Sequence, residues 1–175
     1  CVPAAVANDY AAALKKSGAA LKSLNVYDAV WEGNAARPAL PATPCRLLTP
    51  AQTGATAADR IAMVRAELAK QGATALAVTG LDCVGWLLNL RARDLPCTPL
   101  AVAYALITKD ACTLFLADGR LTDADAAKLA ACGVTVRGYN ELLDAVHALP
   151  AEEVFLVDKK ATNYDLYTAL TAHKT

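Results

Sequence analysis

Two apolar runs separated by only three residues constrain this chain more than any other feature of its sequence. Residues 101–108 and 112–117 have the composition of buried strands, and residues 109–111 lie between them. Because a connection between parallel strands needs a dozen or more residues, these runs predict an antiparallel hairpin. Any sheet that includes both runs is therefore at least partly antiparallel.

Three further apolar stretches predict the rest of the sheet. Residues 75–78 and 154–157 are continuously apolar, as expected of strands covered on both faces, and residues 134–136 form a shorter run. Helical patterns lie between these stretches, so helices are available for both faces of a sheet. The sequence therefore predicts an α/β fold, a mixed β-sheet of about five to six strands with helices on both faces.

Capping residues mark the expected helix starts. Thr56 and Thr122 are each followed three residues later by an aspartate, and Asn163 precedes the last helical pattern. Side chains of these types accept hydrogen bonds from the free N–H groups of a first helical turn. Asn8 is expected to begin an earlier helix reaching residue 17, with a short strand over residues 19–24. One buried helix face is expected to contain Leu142, Leu143, Val146 and Leu149.

A proline-rich stretch divides the chain. Pro38, Pro41 and Pro44 fall within seven residues, and proline favours extended backbone at itself and at the residue before it. We therefore predict that this stretch is an extended linker ending near residue 49, and that residues 50–175 form the α/β domain. Because the chain starts at a cysteine, we expect a fragment or a processed product. Deleting residues 1–36 is expected to change the stability of the main domain little.

Charge and composition argue against two kinds of partner. The 17 basic and 17 acidic residues give a formal net charge of zero, so no nucleic-acid partner is expected. No apolar run approaches the ~18 residues that span a bilayer, so no membrane partner is expected. The six cysteines form no C-x-x-C pair. Their mostly apolar surroundings predict buried, reduced thiols, with a zinc site or disulfides as the alternative.

No catalytic motif is recognisable. His147 and His173 are the only histidines, and neither has a neighbouring pattern typical of a dyad or a ligand set. Four aspartates lie at or beyond the ends of strand-like runs, where carboxylates can hold magnesium or manganese; capping and turn formation are the alternative. These are Asp82, Asp94, Asp118 and Asp158. We predict no catalytic residue and no metal ligand in this chain.

The segment from residue 80 to residue 96 contains the candidate binding residues. It follows a predicted buried strand, and loops in that position often carry ligand-facing side chains. The candidates are Trp86, Asn89, Arg91 and Asp94. Arg91 and Asp94 are three residues apart, which favours a local ion pair. Arg91 can also face a cleft and bind a carboxylate or a peptide carbonyl, and the two interpretations are compatible.

The same segment resembles part of a known enzyme family. Residues 86–94, with residues 78–82 before them and Pro96 and Pro99 after them, are similar to the middle domain of three-domain Xaa-Pro aminopeptidases (aminopeptidase P). Residues 114–120 and 154–160 resemble later strands of that domain. Residues 8–24 resemble the last helix and strand of the family's first domain, which implies that residues 1–49 are a remnant of a preceding domain plus the proline-rich linker. The family usually has glycine and serine where Ala92 and Arg93 stand here.

The resemblance implies a creatinase/prolidase N-terminal-domain-like fold, with a ribonuclease-H-like motif. It implies a cytoplasmic, homodimeric parent enzyme that removes the N-terminal residue preceding proline, using two divalent metal ions, with manganese favoured. The family's metal ligands lie in a catalytic pita-bread domain, so this fragment is expected to be inactive without it. Trp86, Asn89, Arg91 and Asp94 would line the cleft for a proline-containing peptide.

One other function is compatible with the pattern. The chain can be a free-standing α/β module that binds a ligand or a partner without chemistry. A reading frame that continues past Thr175 into a metal-ligand pattern would favour the peptidase. A metal nuclease with a ribonuclease-H-like fold is disfavoured, because it needs clustered acids and a basic face.

Overall fold

The computed structural model describes residues 2–24, 26–34 and 37–175. The helices are α1 (Ala4–Lys15), α2 (Tyr27–Trp31), α3 (Pro50–Thr53), α4 (Ala57–Lys70), α5 (Leu81–Leu87), α6 (Asp123–Ala131), α7 (Leu142–His147) and α8 (Tyr164–Thr171). The strands are β1 (Arg46–Leu47), β2 (Ala75–Val78), β3 (Leu90–Arg91), β4 (Ala103–Ile107), β5 (Cys112–Leu116), β6 (Val134–Gly138) and β7 (Phe155–Leu156). A short 3-10 turn, Tyr139–Glu141, precedes α7.

Five strands form one mixed sheet in the order β6-β5-β4-β2-β7. The predicted hairpin is confirmed, since β4 and β5 pair antiparallel over five residue pairs. β4 is also antiparallel to β2, whereas β5 with β6 and β2 with β7 run parallel. β4 is therefore the reversed strand of this sheet.

Each face of the sheet buries a separate apolar cluster. On one face, α4, α5 and α6 pack over alternate strand residues such as Ile107 and Leu114. On the other face, α7 and α8 pack over Phe115 and Phe155. The predicted α/β fold with helices on both faces is therefore confirmed. Both faces can be apolar because successive side chains of a strand point to opposite faces of the sheet.

The three capping predictions for the main domain are confirmed. The hydroxyl of Thr56 accepts from the backbone N–H of Asp59 at 3.1 Å, and Thr122 accepts from Asp125 at the same distance. Asn163 accepts from Leu166 at 2.9 Å. The buried-face prediction for α7 holds for Leu142 and Val146, but the Leu143 side chain is 40% exposed.

The N-terminal segment differs from its prediction. α1 begins at Ala4 rather than Asn8, and residues 19–24 form no strand. The backbone N–H groups of Ala4 and Ala5 donate to the carbonyls of Thr162 and Lys159 at 2.9 and 2.8 Å. The first turn is thus capped by a distant loop rather than by a local side chain.

The proline-rich stretch is followed directly by contacts with the α/β unit. β1 pairs antiparallel with β3 in a separate two-stranded ribbon. Cys45 is buried, and its backbone N–H donates to the Arg120 carbonyl at 2.7 Å. In the described ranges, no helix is long and apolar enough to cross a membrane.

Candidate functional site

The segment after β2 is a short helix followed by a sharp turn. α5 ends at Leu87, Asn89 adopts a left-handed backbone with φ of 56°, and β3 follows at once. A Cβ atom at Gly85 would lie 3.2 Å from the Leu90 carbonyl and 3.3 Å from Nη1 of Arg91. Glycine at this position therefore allows β3 and the arginine to pack closely against α5.

Arg60, which the sequence analysis did not single out, fixes this turn. Its guanidinium is buried and donates to the Trp86 carbonyl, to Oδ1 of Asn89 and to the Thr53 carbonyl. Nδ2 of Asn89 donates to the Ala55 carbonyl at 2.9 Å. One feature of the sequence could have indicated that Arg60 is buried: it falls on the same helical face as Ala57 and Ile61.

Of the four candidates, Asn89 and Trp86 have contrasting environments. Asn89 is buried, and its side chain accepts a hydrogen bond from Arg60 and donates one to the Ala55 carbonyl. Trp86 is 44% exposed, and its indole lies 5.0 Å from the Arg60 guanidinium carbon. Asn89 therefore holds the turn, whereas Trp86 offers an aromatic surface beside Asp82 and Cys83 in a cleft.

Arg91 lies half-buried on β3. Its Nη1 donates to the carbonyls of Gly85 and Leu90 at 2.6 and 2.8 Å. Arg46 is directly opposite it in the β1–β3 ladder. Like charges directly opposite across antiparallel strands destabilise the pair, so this edge favours an acceptor or an anion as its partner.

The predicted ion pair between Arg91 and Asp94 is wrong. Asp94 instead pairs with Arg120, whose Nη2 lies 2.6 and 2.7 Å from its two carboxylate oxygens. Both side chains are almost completely buried, with 1% and 0% exposure for Arg120 and Asp94. Arg120 comes from the turn after β5, so the pair joins two loops that are distant in sequence.

Two further groups complete the environment of Asp94. The Thr43 hydroxyl donates to Oδ1, and the Val102 backbone N–H donates to Oδ2 at 2.6 Å. Burial opposes ionisation, but hydrogen bonds from Thr43, Val102 and Arg120 together lower the pKa of Asp94 below its ordinary value. Nε of Arg120 also donates to the Thr43 carbonyl at 2.9 Å, so the pair anchors the end of the proline-rich stretch.

The remaining acids and histidines do not form a metal centre. Across residues 2–24, 26–34 and 37–175, no three His, Cys, Asp or Glu side chains are arranged to hold a metal ion. Asp82 and Asp158 line one cleft, whereas Asp118 lies in an exposed turn. The two ring nitrogens of His173 lie 3.1 Å from the carbonyl oxygens of Pro150 and Val146, and His147 is exposed at the end of α7.

The cysteines are free but not uniformly buried. Cys45 and Cys112 are buried, Cys132 is half-buried, and Cys83 and Cys97 are exposed. The prediction of burial is therefore wrong for the last two: Cys83 lies on the exposed side of α5, and Cys97 lies in a surface turn. Cys1 lies outside the described residues.

Comparison with known proteins identifies similar sequences. The profile of the creatinase/prolidase N-terminal domain matches residues 36–175. A probable Xaa-Pro aminopeptidase P of Neurospora crassa is 38% identical over 130 residues, which are 73% of this chain and 19% of that protein. A protein of the same name from Coprinopsis cinerea is 37% identical over 145 residues, covering 83% of this chain and 23% of that protein.

A solved structure shares the fold. X-prolyl aminopeptidase from Caenorhabditis elegans, described as a cytosolic enzyme with a di-nuclear active site, superposes with a TM-score of 0.75 and 26% identity. The match covers 83% of this chain and 23% of that one. This chain thus spans about a fifth of the length of these relatives.

Proposed function

The chain belongs to the creatinase/prolidase N-terminal domain family, and we propose that it is the non-catalytic, middle-domain part of a metal-dependent Xaa-Pro aminopeptidase. The relatives named Xaa-Pro aminopeptidase P support this assignment. The parent enzyme would remove the N-terminal residue that precedes proline. This part of the enzyme would form a wall of the substrate cleft.

The chemistry is assigned to the part of the relatives that this chain does not match. The residues described here bring no metal-ligand set together, so they do not fit a metal centre. Two divalent ions, with manganese preferred, would bind in the unmatched part, in agreement with the di-nuclear active site of the Caenorhabditis elegans enzyme. When bound, such ions supply a nucleophilic hydroxide at neutral pH.

Within this chain, we assign substrate contact to Arg91 and Trp86 and a supporting role to Asn89 and Asp94. The observation that carries this assignment is the anchoring of Arg91. Its Nη1 is held by two backbone carbonyls, and across the described ranges neither Nε nor Nη2 donates to a protein acceptor. Anchoring at one nitrogen would orient the remaining donors toward a peptide carbonyl or carboxylate.

We extend the proposal to the setting of the enzyme. A cytoplasmic location is supported by the cytosolic Caenorhabditis elegans relative. A homodimeric parent is proposed from the family resemblance. The partners would be the catalytic domain of the same polypeptide and a proline-containing peptide, with no nucleic acid or membrane.

The test uses the complete protein encoded by the gene. With manganese, it should release the first residue of an Xaa-Pro peptide, whereas the 175-residue chain alone should not. Arg91→Ala should lower kcat/KM about tenfold to hundredfold, because a charge-assisted hydrogen bond is worth about 1.5–3 kcal/mol. The urea midpoint of the 175-residue chain should change little.

Arg93→Ala is the matched control, since Arg93 is an exposed arginine two residues further on. It removes the same charge and should leave kcat/KM within about twofold, whereas a general electrostatic attraction would be weakened equally by both variants. Normal kcat/KM in folded Arg91→Ala enzyme would overturn the assignment. Release of the amino acid by the 175-residue chain alone would overturn its non-catalytic role.

A further inference from the structure

A second site is suggested by the way the chain leaves two neighbouring parallel strands. β2 and β7 run parallel and adjacent, so their carboxyl ends lie side by side. From β2 the chain continues into α5, which packs on one face of the sheet, and from β7 it continues toward α8 on the opposite face. This is a topological switch point, where open α/β sheets form a crevice suited to ligands.

The crevice is present and has the size of a small-molecule site. A cleft of about 650 Å³ lies between the residues that follow the two strands, within the range of about 300–1,000 Å³ typical of ligand pockets. Its floor includes Leu76, Val78 and Leu87. Its remaining lining includes Trp86, Asp82 and Asp158.

The charges around the cleft favour a cation. Neither Asp82 nor Asp158 forms an ion pair with any residue that the structure describes. Each has one carboxylate oxygen that accepts a backbone N–H at 2.9 Å, from Cys83 and from Lys160 respectively, which leaves further acceptor capacity. Two carboxylates at one opening attract a positive group and repel an anion.

Two of the nearby basic side chains are engaged by other groups. The ammonium of Lys159 lies 5.8 Å from the centre of the Tyr167 ring, and the Arg60 guanidinium is buried and occupied by three acceptors. Arg60 also lies over the Trp86 indole at 5.0 Å, so a ligand would contact the exposed part of that ring.

We infer that this cleft binds a small molecule consisting of a protonated amine on an apolar body about the size of one aromatic ring. The body contacts the apolar floor and Trp86, and the amine hydrogen-bonds to Asp82 and Asp158. The site shares Trp86 with the proposed peptide contact, but the inference does not rest on peptidase activity, because it is tested by binding to the 175-residue chain alone.

The test uses three probes of nearly equal size on the 175-residue chain. These are 2-phenylethylamine, its neutral analogue 2-phenylethanol and the anion 3-phenylpropionate. Binding is followed by amide and indole chemical shifts in NMR, with Trp31 as an internal reference outside the cleft. For ligands of this size a Kd of about 1 mM is expected for the amine, with the alcohol at least about tenfold weaker and the anion weaker still.

Charge-neutral variants of equal shape separate this site from a general acidic surface. Asp82→Asn combined with Asp158→Asn should weaken amine binding at least about tenfold and leave the alcohol unchanged, which also shows that the cleft is intact. Asp110→Asn is the control, because Asp110 is exposed in the β4–β5 turn, which lies at the opposite end of the strands, beside the start of β2. It should leave all three affinities unchanged.

Three results would overturn the inference. The first is equal binding of amine, alcohol and anion, which would show an apolar patch without charge selection. The second is the absence of chemical-shift changes around the cleft at 10 mM amine, about tenfold above the expected Kd. The third is an amine affinity that falls as much in Asp110→Asn as in the double variant.

Discussion

Replacing Asp94 with asparagine should destabilise this domain more than its chemical similarity suggests. Asp94 and Arg120 form a buried pair with a separation of 2.6 Å, and Thr43 and Val102 also donate to the carboxylate. Asparagine keeps the shape but removes the charge and presents an NH₂ group to donors. The Arg120 guanidinium would then be buried without a counter-charge.

The expected magnitude follows from the burial. Breaking a buried ion pair from one side typically costs about 3–5 kcal/mol, because the remaining charge is desolvated without compensation. Arg120 keeps its bonds to the carbonyls of Thr43 and Val102, at 2.9 and 3.4 Å, so we expect the lower end, about 3 kcal/mol. Arg120→Met should cost a similar amount. The double variant should cost less than the sum of the two single variants by about 2 kcal/mol, since it leaves no unpaired charge.

The pH dependence provides an independent check. The pKa of Asp94 is lowered in the folded state: burial raises it, and the hydrogen bonds and charge of its partners outweigh that effect. A lowered folded-state pKa means that the stabilisation is fully present above the unfolded-state pKa of about 4. It is lost as the pH falls through the folded-state value. The difference between wild type and Asp94→Asn should therefore shrink progressively below pH 4.

The assay is urea unfolding followed by circular dichroism at pH 7 and at several values down to pH 2.5. Arg137→Met is the control, because Arg137 forms the same type of pair with Glu141, at 2.6 Å, but with side chains 39% and 45% exposed. Exposed pairs contribute about 0–1 kcal/mol, so this variant should be nearly neutral. The reasoning fails if Asp94→Asn loses less than about 1 kcal/mol at pH 7, or if its deficit is the same at every pH.

Two further predictions concern the thiols and the N-terminal helix. Thiol titration of freshly unfolded, non-reduced protein should count six free cysteines, and fewer than five would contradict the prediction. In the folded protein, among the cysteines that the structure describes, the exposed Cys97 should react fastest and Cys112 slowest, because burial raises the pKa of Cys112 to about 11. Cys83 is exposed too, but partial burial and the Asp82 carboxylate raise the pKa of its thiol. Deleting residues 1–18 should lower the free energy of unfolding by about 2 kcal/mol, since the buried Ala4 and Ala7 and the bonds from Ala4 and Ala5 to the loop before α8 are lost. Unchanged unfolding would support the sequence expectation that this segment is dispensable.

Local patterns in the sequence predicted much of the fold correctly. The caps at Thr56, Thr122 and Asn163 depend on a side chain and a backbone N–H three residues apart, so they are visible in a short window. The hairpin followed from the length of its connection. The sequence also identified the segment that contains the candidate site. It did not distinguish residues that bind within the domain from residues that face solvent: Asn89 is buried and hydrogen-bonded to Arg60, whereas Trp86 is exposed.

The failed predictions involve groups whose partners are distant along the chain. α1 begins before Asn8 because its first N–H groups are bound by residues 159 and 162. Residues 19–24 had the composition of a strand but pair with no other strand in the described structure. Leu143 is apolar, yet it lies on the side of α7 that is not covered by α8 or the sheet.

By itself, the sequence determined the five strands of the main sheet and the helices that cover it, where most of those helices begin, and that the sheet is mixed, because these properties depend on periodicity, capping and connection length. It did not predict the β1–β3 ribbon, whose two short strands are defined by their pairing with each other. The tertiary structure alone decided that Asp94 pairs with Arg120 rather than Arg91, and that Arg60 holds Asn89. A charged group binds the partner that the packed sheet places beside it. A buried charge is stabilised only by a partner that is buried directly beside it. Closeness along the sequence does not ensure that placement.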